Sequence, residues 1–280
     1  MGVPGNVQLR KQRVFRVMSL GNKSTFERIA DFISQHRSAL TAYLLVTITA
    51  AVFIAAELVF SHGVLSRDGC RYLFYVTEAL NNSWTAAAEK DPGMSNYPPL
   101  LVMLMYLAGK LGIDQEIAGR VLNLSSVIFM SWGILYCSRK LYKDKFTALC
   151  TALMIIAIPK IYISGCNILR DPLYWAETVW ALALMLNLAE NAEMPLKKYL
   201  HNLLGMSLLL ALACLTRKEG MFFTILATFW LITFNPAGWR RKLWSAALLL
   251  AIAAAVISLF LLVVPWNIAE IVFNLREAVL

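Results

Sequence analysis

A chain of 280 residues that is 59% hydrophobic and only 15% charged carries more apolar side chains than one soluble core can bury. Its mean hydropathy of +0.61, with the apolar residues gathered in blocks, excludes the soluble and disordered classes and describes an integral membrane protein. The net charge of +9 invites a nucleic-acid reading, which the distribution of the basic residues then excludes.

The tail Met1–Ser38 has no apolar core beside its charges, so it reads as a basic cytoplasmic segment and not as a cleaved signal. Ser24-x-x-Glu27 fits a capping box, and Phe26, Ile29, Ala30 and Ile33 share one face, which predicts an interfacial amphipathic helix leading into the first span. That span is Ala39–Phe60. Ser61–Tyr97 follows as a long polar outer loop. Pro98-Pro99-Leu100 then opens an apolar run to Leu111 that is short for a crossing and is read as a juxtamembrane or re-entrant helix. Six more spans are expected at Ile117–Tyr136, Phe146–Ser164, Pro172–Leu188, Asn202–Thr216, Gly220–Phe234 and Ser245–Val264. The expected fold is therefore an all-α, polytopic transmembrane helix bundle of seven spans. Only helices satisfy their own backbone in lipid, apart from closed barrels. Residues 39–264 are expected to form the transmembrane module, and 265–280 an outer-side tail that is expected to begin a further C-terminal part.

With the spans alternating, one side holds 16 basic residues against 5 acidic ones, and the rest of the chain 10 against 12. Such an asymmetry is the positive-inside signal. It expects a multi-pass protein of a bacterial plasma membrane, its N-terminus cytoplasmic and its basic residues turned to anionic lipid, not to nucleic acid. The ionisable residues without a topology role then gather at the other side: Arg67 and Asp68 after the first span, Arg120 at the second, Arg170 and Asp171 between the third and fourth, and Arg217, Lys218 and Glu219 at the apex of the fifth and sixth. The fifth and sixth spans have only about 15 residues each, so their apex is expected in a recess below the surface. Carboxylates there offer a general base and guanidinium groups a bidentate grip on phosphate. Asp171 followed by Pro172 is equally a common helix start. Glu57 and Glu177 lie inside apolar runs, where an ionisable side chain raises a functional question.

Five short motifs occur in order among these residues: Arg67-Asp68-Gly69-x-x-Tyr72, Tyr97-Pro98-Pro99-Leu100, Ala118-Gly119-Arg120-Val121-Leu122, Leu169-Arg170-Asp171-Pro172 and Leu215-Thr216-Arg217-Lys218-Glu219-Gly220. From Ser38 to Trp266 the set resembles the GT-C glycosyltransferases of the protein O-mannosyltransferase and aminoarabinose transferase type. The resemblance implies a polyprenyl-phosphate sugar as donor, an acceptor that is a protein, glycan or lipid, and inversion at the anomeric carbon on the extracytoplasmic side. It places the general base on Asp68, a second site-lining acid on Asp171, and the donor phosphate near Arg217. Some relatives carry a basic residue where this chain has Tyr97, which shifts phosphate binding onto Arg217 and Arg120. Arg67, Tyr72, Tyr97 and Glu219 stand beside these as supporting residues. The first outer loop has no Asp-x-Asp pair and the chain's only histidines are His36, His62 and His201, so neither a metal nor another cofactor is expected. Two other readings stand beside the enzyme: a non-catalytic or partner-dependent truncated relative, and a lipid or sugar transporter or flippase.

Overall fold

The computed structural model describes residues 25–61, 65–91, 99–142, 144–190 and 194–263, with side chains described from 37 to 260. Among them are eleven helices: α1 (Thr25–Phe60), α2 (Arg67–Asn81), α3 (Trp84–Lys90), α4 (Leu100–Lys110), α5 (Gln115–Leu141), α6 (Lys145–Ile156), α7 (Pro159–Cys166), α8 (Asp171–Glu190), α9 (Leu196–Thr216), α10 (Glu219–Thr233) and α11 (Trp239–Val263). The chain divides into two compact units, Met1–Leu45 and Val46–Leu280.

Helix α1 has neither Gly nor Pro between Thr25 and Phe60, so the stretch read as an interfacial helix and the first span form one unbroken helix. The capping residue Ser24 lies outside the described residues. By length and composition, the segments Arg37–Phe60, Gln115–Leu141, Leu196–Thr216 and Trp239–Phe260 can each cross a membrane, and the bent pair α6/α7 can supply a fifth crossing. Helix α8 is long enough but interrupts its apolar run with Glu177 and Asn187, and α10 has only 15 residues.

The expected single helix Phe146–Ser164 is broken. Ile158 precedes Pro159, is held extended (ψ 122°), and Pro159 opens α7 at a position where its missing N–H costs nothing. The two halves bend by 57°. The fifth expected span reaches further than its apolar run, because Leu196–His201 continues α9 to 21 residues; only α10 stays short. The stretch after α1 is no open loop either. Ser66 caps α2 by accepting from Gly69 N at 3.1 Å, and Ser83 caps α3 by accepting from Ala86 N at 3.1 Å. Tyr72, Tyr75, Val76 and Ala79 face inward at helical spacing and pack with Leu101, Val102 and Met105 of α4. Helix α4 is short, as its apolar run predicts, and ends in a Schellman turn: Ile113 N donates to Ala108 O, Gly112 N to Gly109 O, with Gly112 at φ +80°.

Helices α5, α8, α9, α10 and α11 pack as neighbours in the bundle. A second core of Leu188, Tyr199, Leu203, Met206, Leu210, Leu231 and Leu249 joins α8 to α11. The basic turns gather at one end of this bundle. There Lys140 pairs with Glu190, Arg241 donates to Met194 O at 3.1 Å and lies 3.8 Å from the Tyr199 ring centroid, and Tyr199 meets Ser245 at 2.9 Å.

Candidate functional site

The opposite end of the bundle holds the residues singled out in sequence, built around the irregular segment between α7 and α8. Asn167 Oδ1 accepts from Ser66 N at 2.8 Å, tying that segment to the start of α2. Gly69 lies close enough that an added Cβ would stand 3.4 Å from Ile168 O, so the first turn of α2, which carries Asp68, rests on Ile168. Helix α5 grips the same segment from another side. Arg120 Nη1 donates to Cys166 O at 3.1 Å, Asn123 Nδ2 donates to Ser164 O at 3.3 Å and also to Asn167 O, and Gly119 leaves room for the Ile168 side chain.

Three residues further along, Asp171 begins α8, and its Oδ1 accepts a short hydrogen bond from Arg217 Nη1 at the apex between α9 and α10. Arg217 also donates through Nε and Nη2 to Glu219, at 3.1 and 2.9 Å, and sits 5.7 Å from the Tyr174 ring centroid. One guanidinium thus stands between two carboxylates and beside an aromatic ring. The apex is held tightly, since Gly220 lies against the backbone of Ala213 and Cys214 in α9. Behind it Thr216, fully buried, donates to Glu177 Oε2 at 2.7 Å.

Asp68 is exposed and makes no hydrogen bond or ion pair with the other described residues. Arg67 is likewise exposed and unpaired among them. Arg120 is bound to Glu116 one turn earlier, at 2.7 and 2.9 Å. Tyr72 is buried in the core beneath α2, where it supports the helix instead of lining an opening. Tyr97 lies outside the described residues. The outer helices α2 and α3 are clipped together by Lys90–Glu78 at 2.7 Å, and Arg71 donates to Asp91 through both Nε and Nη2. The Lys90 ammonium holds the Glu78 carboxyl below its ordinary value, and burial, followed by the charge of Asp91, pushes the Tyr75 phenol up.

Sequence reasoning missed Asn123, Asn167 and Tyr174, whose roles depend on contacts between distant segments. It also missed Glu116, which its spacing of four from Arg120 on one helix face could have shown. Among the described residues no three His, Cys, Asp or Glu side chains converge as a metal-holding cluster. No family model, curated protein or solved structure matches the chain.

Proposed function

We propose that this chain is a membrane glycosyltransferase with a seven-span, GT-C-like bundle, moving a sugar from a polyprenyl-phosphate donor to an acceptor hydroxyl or amine on the extracytoplasmic side. The observation that carries this reading is Arg217, held by Asp171 and Glu219 at the same end of the bundle as the free carboxylate of Asp68. The acceptor oxygen or nitrogen bonds to the anomeric carbon as the bond from that carbon to the phosphate oxygen breaks, and the electron pair leaves with the phosphate. Asp68 takes the proton. Arg217 neutralises the departing phosphate, with Arg120 as a second cation nearby. A bound donor phosphate exchanges with Glu219, whose side chain is 49% exposed, while Asp171, 21% exposed, keeps the guanidinium in place.

The test is transfer of radiolabelled sugar from a polyprenyl-phosphate donor in proteoliposomes, with donor binding measured in parallel. Arg217→Ala is expected to weaken donor binding at least about tenfold, as loss of a charge-assisted hydrogen bond does. Donor binding equal to that of the unaltered chain would refute the phosphate role. No transfer by either, with donor still bound, would favour the non-catalytic or partner-dependent reading.

The orientation rests on the basic turns and has its own test. With Cys70 replaced by Ser, Asn81→Cys at the end of α2 is expected to react with an impermeant maleimide in intact cells, and Lys145→Cys to be protected until the cells are opened. Both positions are exposed, so reversed labelling would turn the protein over.

A further inference from the structure

The transfer reading makes no use of Glu177. This carboxylate is 4% exposed and stands in the wall of a cavity of about 520 Å³ between α5, α8 and α9. The rest of the wall is almost entirely apolar, with Leu122, Phe129, Leu173 and Leu212 among its residues. Phe129 and Trp132 are exposed, so the cavity opens on the outer face of the bundle, where lipid lies.

The polar accounting inside this cavity does not close. Thr216 donates to Glu177 Oε2, and that is the one hydrogen bond Glu177 makes among the described residues; its second oxygen has no partner there. The serines that share the wall spend their protons on the backbone: Ser125 and Ser126 both donate to Leu122 O, at 2.9 and 2.7 Å. The Trp132 indole donates to Thr47 at 2.8 Å. The wall thus offers acceptors, the second Glu177 oxygen and the two serine hydroxyl oxygens, and no uncommitted donor among its described residues. The acyl tail of an ordinary lipid fills the volume but brings no donor to the carboxyl group. A carboxyl oxygen without a partner in an apolar wall is costly, so the occupant that fits both the shape and the chemistry has a long apolar body and one hydrogen-bond donor.

We propose that the cavity between α5, α8 and α9 is a binding site for a single-headed amphiphile, a long-chain alcohol or amine, whose head donates to Glu177 while its chain lies along Leu122, Phe129 and Leu212. The cavity lies behind the Arg217 apex, since Thr216, the partner of Glu177, adjoins Arg217, but the proposal does not depend on sugar transfer.

The experiment uses the full chain in nanodiscs, without sugar donor. Three probes share a twelve-carbon chain bearing a diazirine and differ in the head: an alcohol, an amine, and the methyl ether of the alcohol, which has no donor. Photolabelling mapped by mass spectrometry is expected on the facing residues of α5, α8 and α9, at least tenfold stronger for the alcohol or the amine than for the ether. The preferred head identifies the ligand class. Glu177→Leu is expected to bring the preferred probe down to the level of the ether and to leave the ether unchanged. Leu212→Trp narrows the cavity while keeping the Glu177 side chain and is expected to weaken labelling by all three. If Glu177→Leu does not fold, Glu177→Gln serves: an amide still accepts from an alcohol but does not pair with an ammonium, so an alcohol preference survives and an amine preference falls. Equal labelling by all three heads in the unaltered chain overturns the proposal, as does a preference that survives Glu177→Leu or labelling that Leu212→Trp leaves undiminished.

Discussion

Asp68→Asn is expected to lower sugar transfer by roughly 10²–10⁴-fold while leaving donor binding unchanged, the range associated with losing a general base. The amide keeps the size of the carboxylate and a hydrogen-bonding group but takes no proton at neutral pH. The position suits such a test. Asp68 is exposed in the first turn of α2, has no partner among the described residues, and α2 is capped independently by Ser66, so the substitution removes no packing. Its one structural cost is the favourable placement of a negative charge at a helix N-terminus, about 0.3–1 kcal/mol, too little to unfold the helix. Parallel measurement of transfer and binding separates base from donor site. Unaltered transfer by Asp68→Asn would remove Asp68 from the chemistry, and the reading of this end as a transferase site would lose its base.

Gly220→Ala is expected to be the most damaging glycine-to-alanine change among the described residues. A Cβ there would stand 2.4 Å from Ala213 C and 2.5 Å from both Ala213 O and Cys214 N, and all three atoms belong to the backbone of α9. No rotamer change relieves such a contact; the two helices must separate. Overpacking a tight site costs about 1–3 kcal/mol even when side chains can yield, so the cost here is expected at the upper end of that range or above it. Separation would also carry Arg217 away from Asp171. Gly205→Ala is the control: its new methyl meets the tip of Leu184 at 2.9 Å, a flexible side chain that can move aside. Thermal unfolding in detergent should show a lower midpoint for Gly220→Ala and little change for Gly205→Ala. Matching midpoints would mean that α9 and α10 do not touch backbone to backbone.

Much of this architecture was legible because lipid imposes it. Apolar blocks marked the helices of the bundle, and the basic turns at Arg139–Lys145, Lys197–Lys198 and Arg240–Lys242 fall together at one end of it. Boundaries failed where hydropathy and backbone chemistry disagree. The block Phe146–Ser164 is apolar but for Lys160 and a few hydroxyl residues, so hydropathy joined it into one span and its break appeared only through Pro159. The stretch after Phe60 is polar, so hydropathy reported a loop, although Ser66 and Ser83 as caps and the spacing of Tyr72, Tyr75, Val76 and Ala79 describe helices. The candidate site was legible as a list of residues and not as a set of partners. Arg217 and Asp171 lie 46 positions apart, and nothing in either segment says that one accepts from the other. Asn123 and Asn167 are ordinary polar residues in sequence, and only folding brings them to the irregular backbone between α7 and α8.

That irregular segment governs how the site can respond to a ligand. Between Cys166 and Asp171 the chain is not helical, and part of its hydrogen bonding comes from Arg120 and Asn123 of α5, with Asn167 reaching out to Ser66. A segment held this way in an apolar surrounding cannot shift alone without breaking bonds that lipid will not replace. It behaves as the anvil of this end of the molecule. Adjustment to substrates of different size therefore falls to α2 and α3, which are joined by surface ion pairs that can part and re-form in water at little cost.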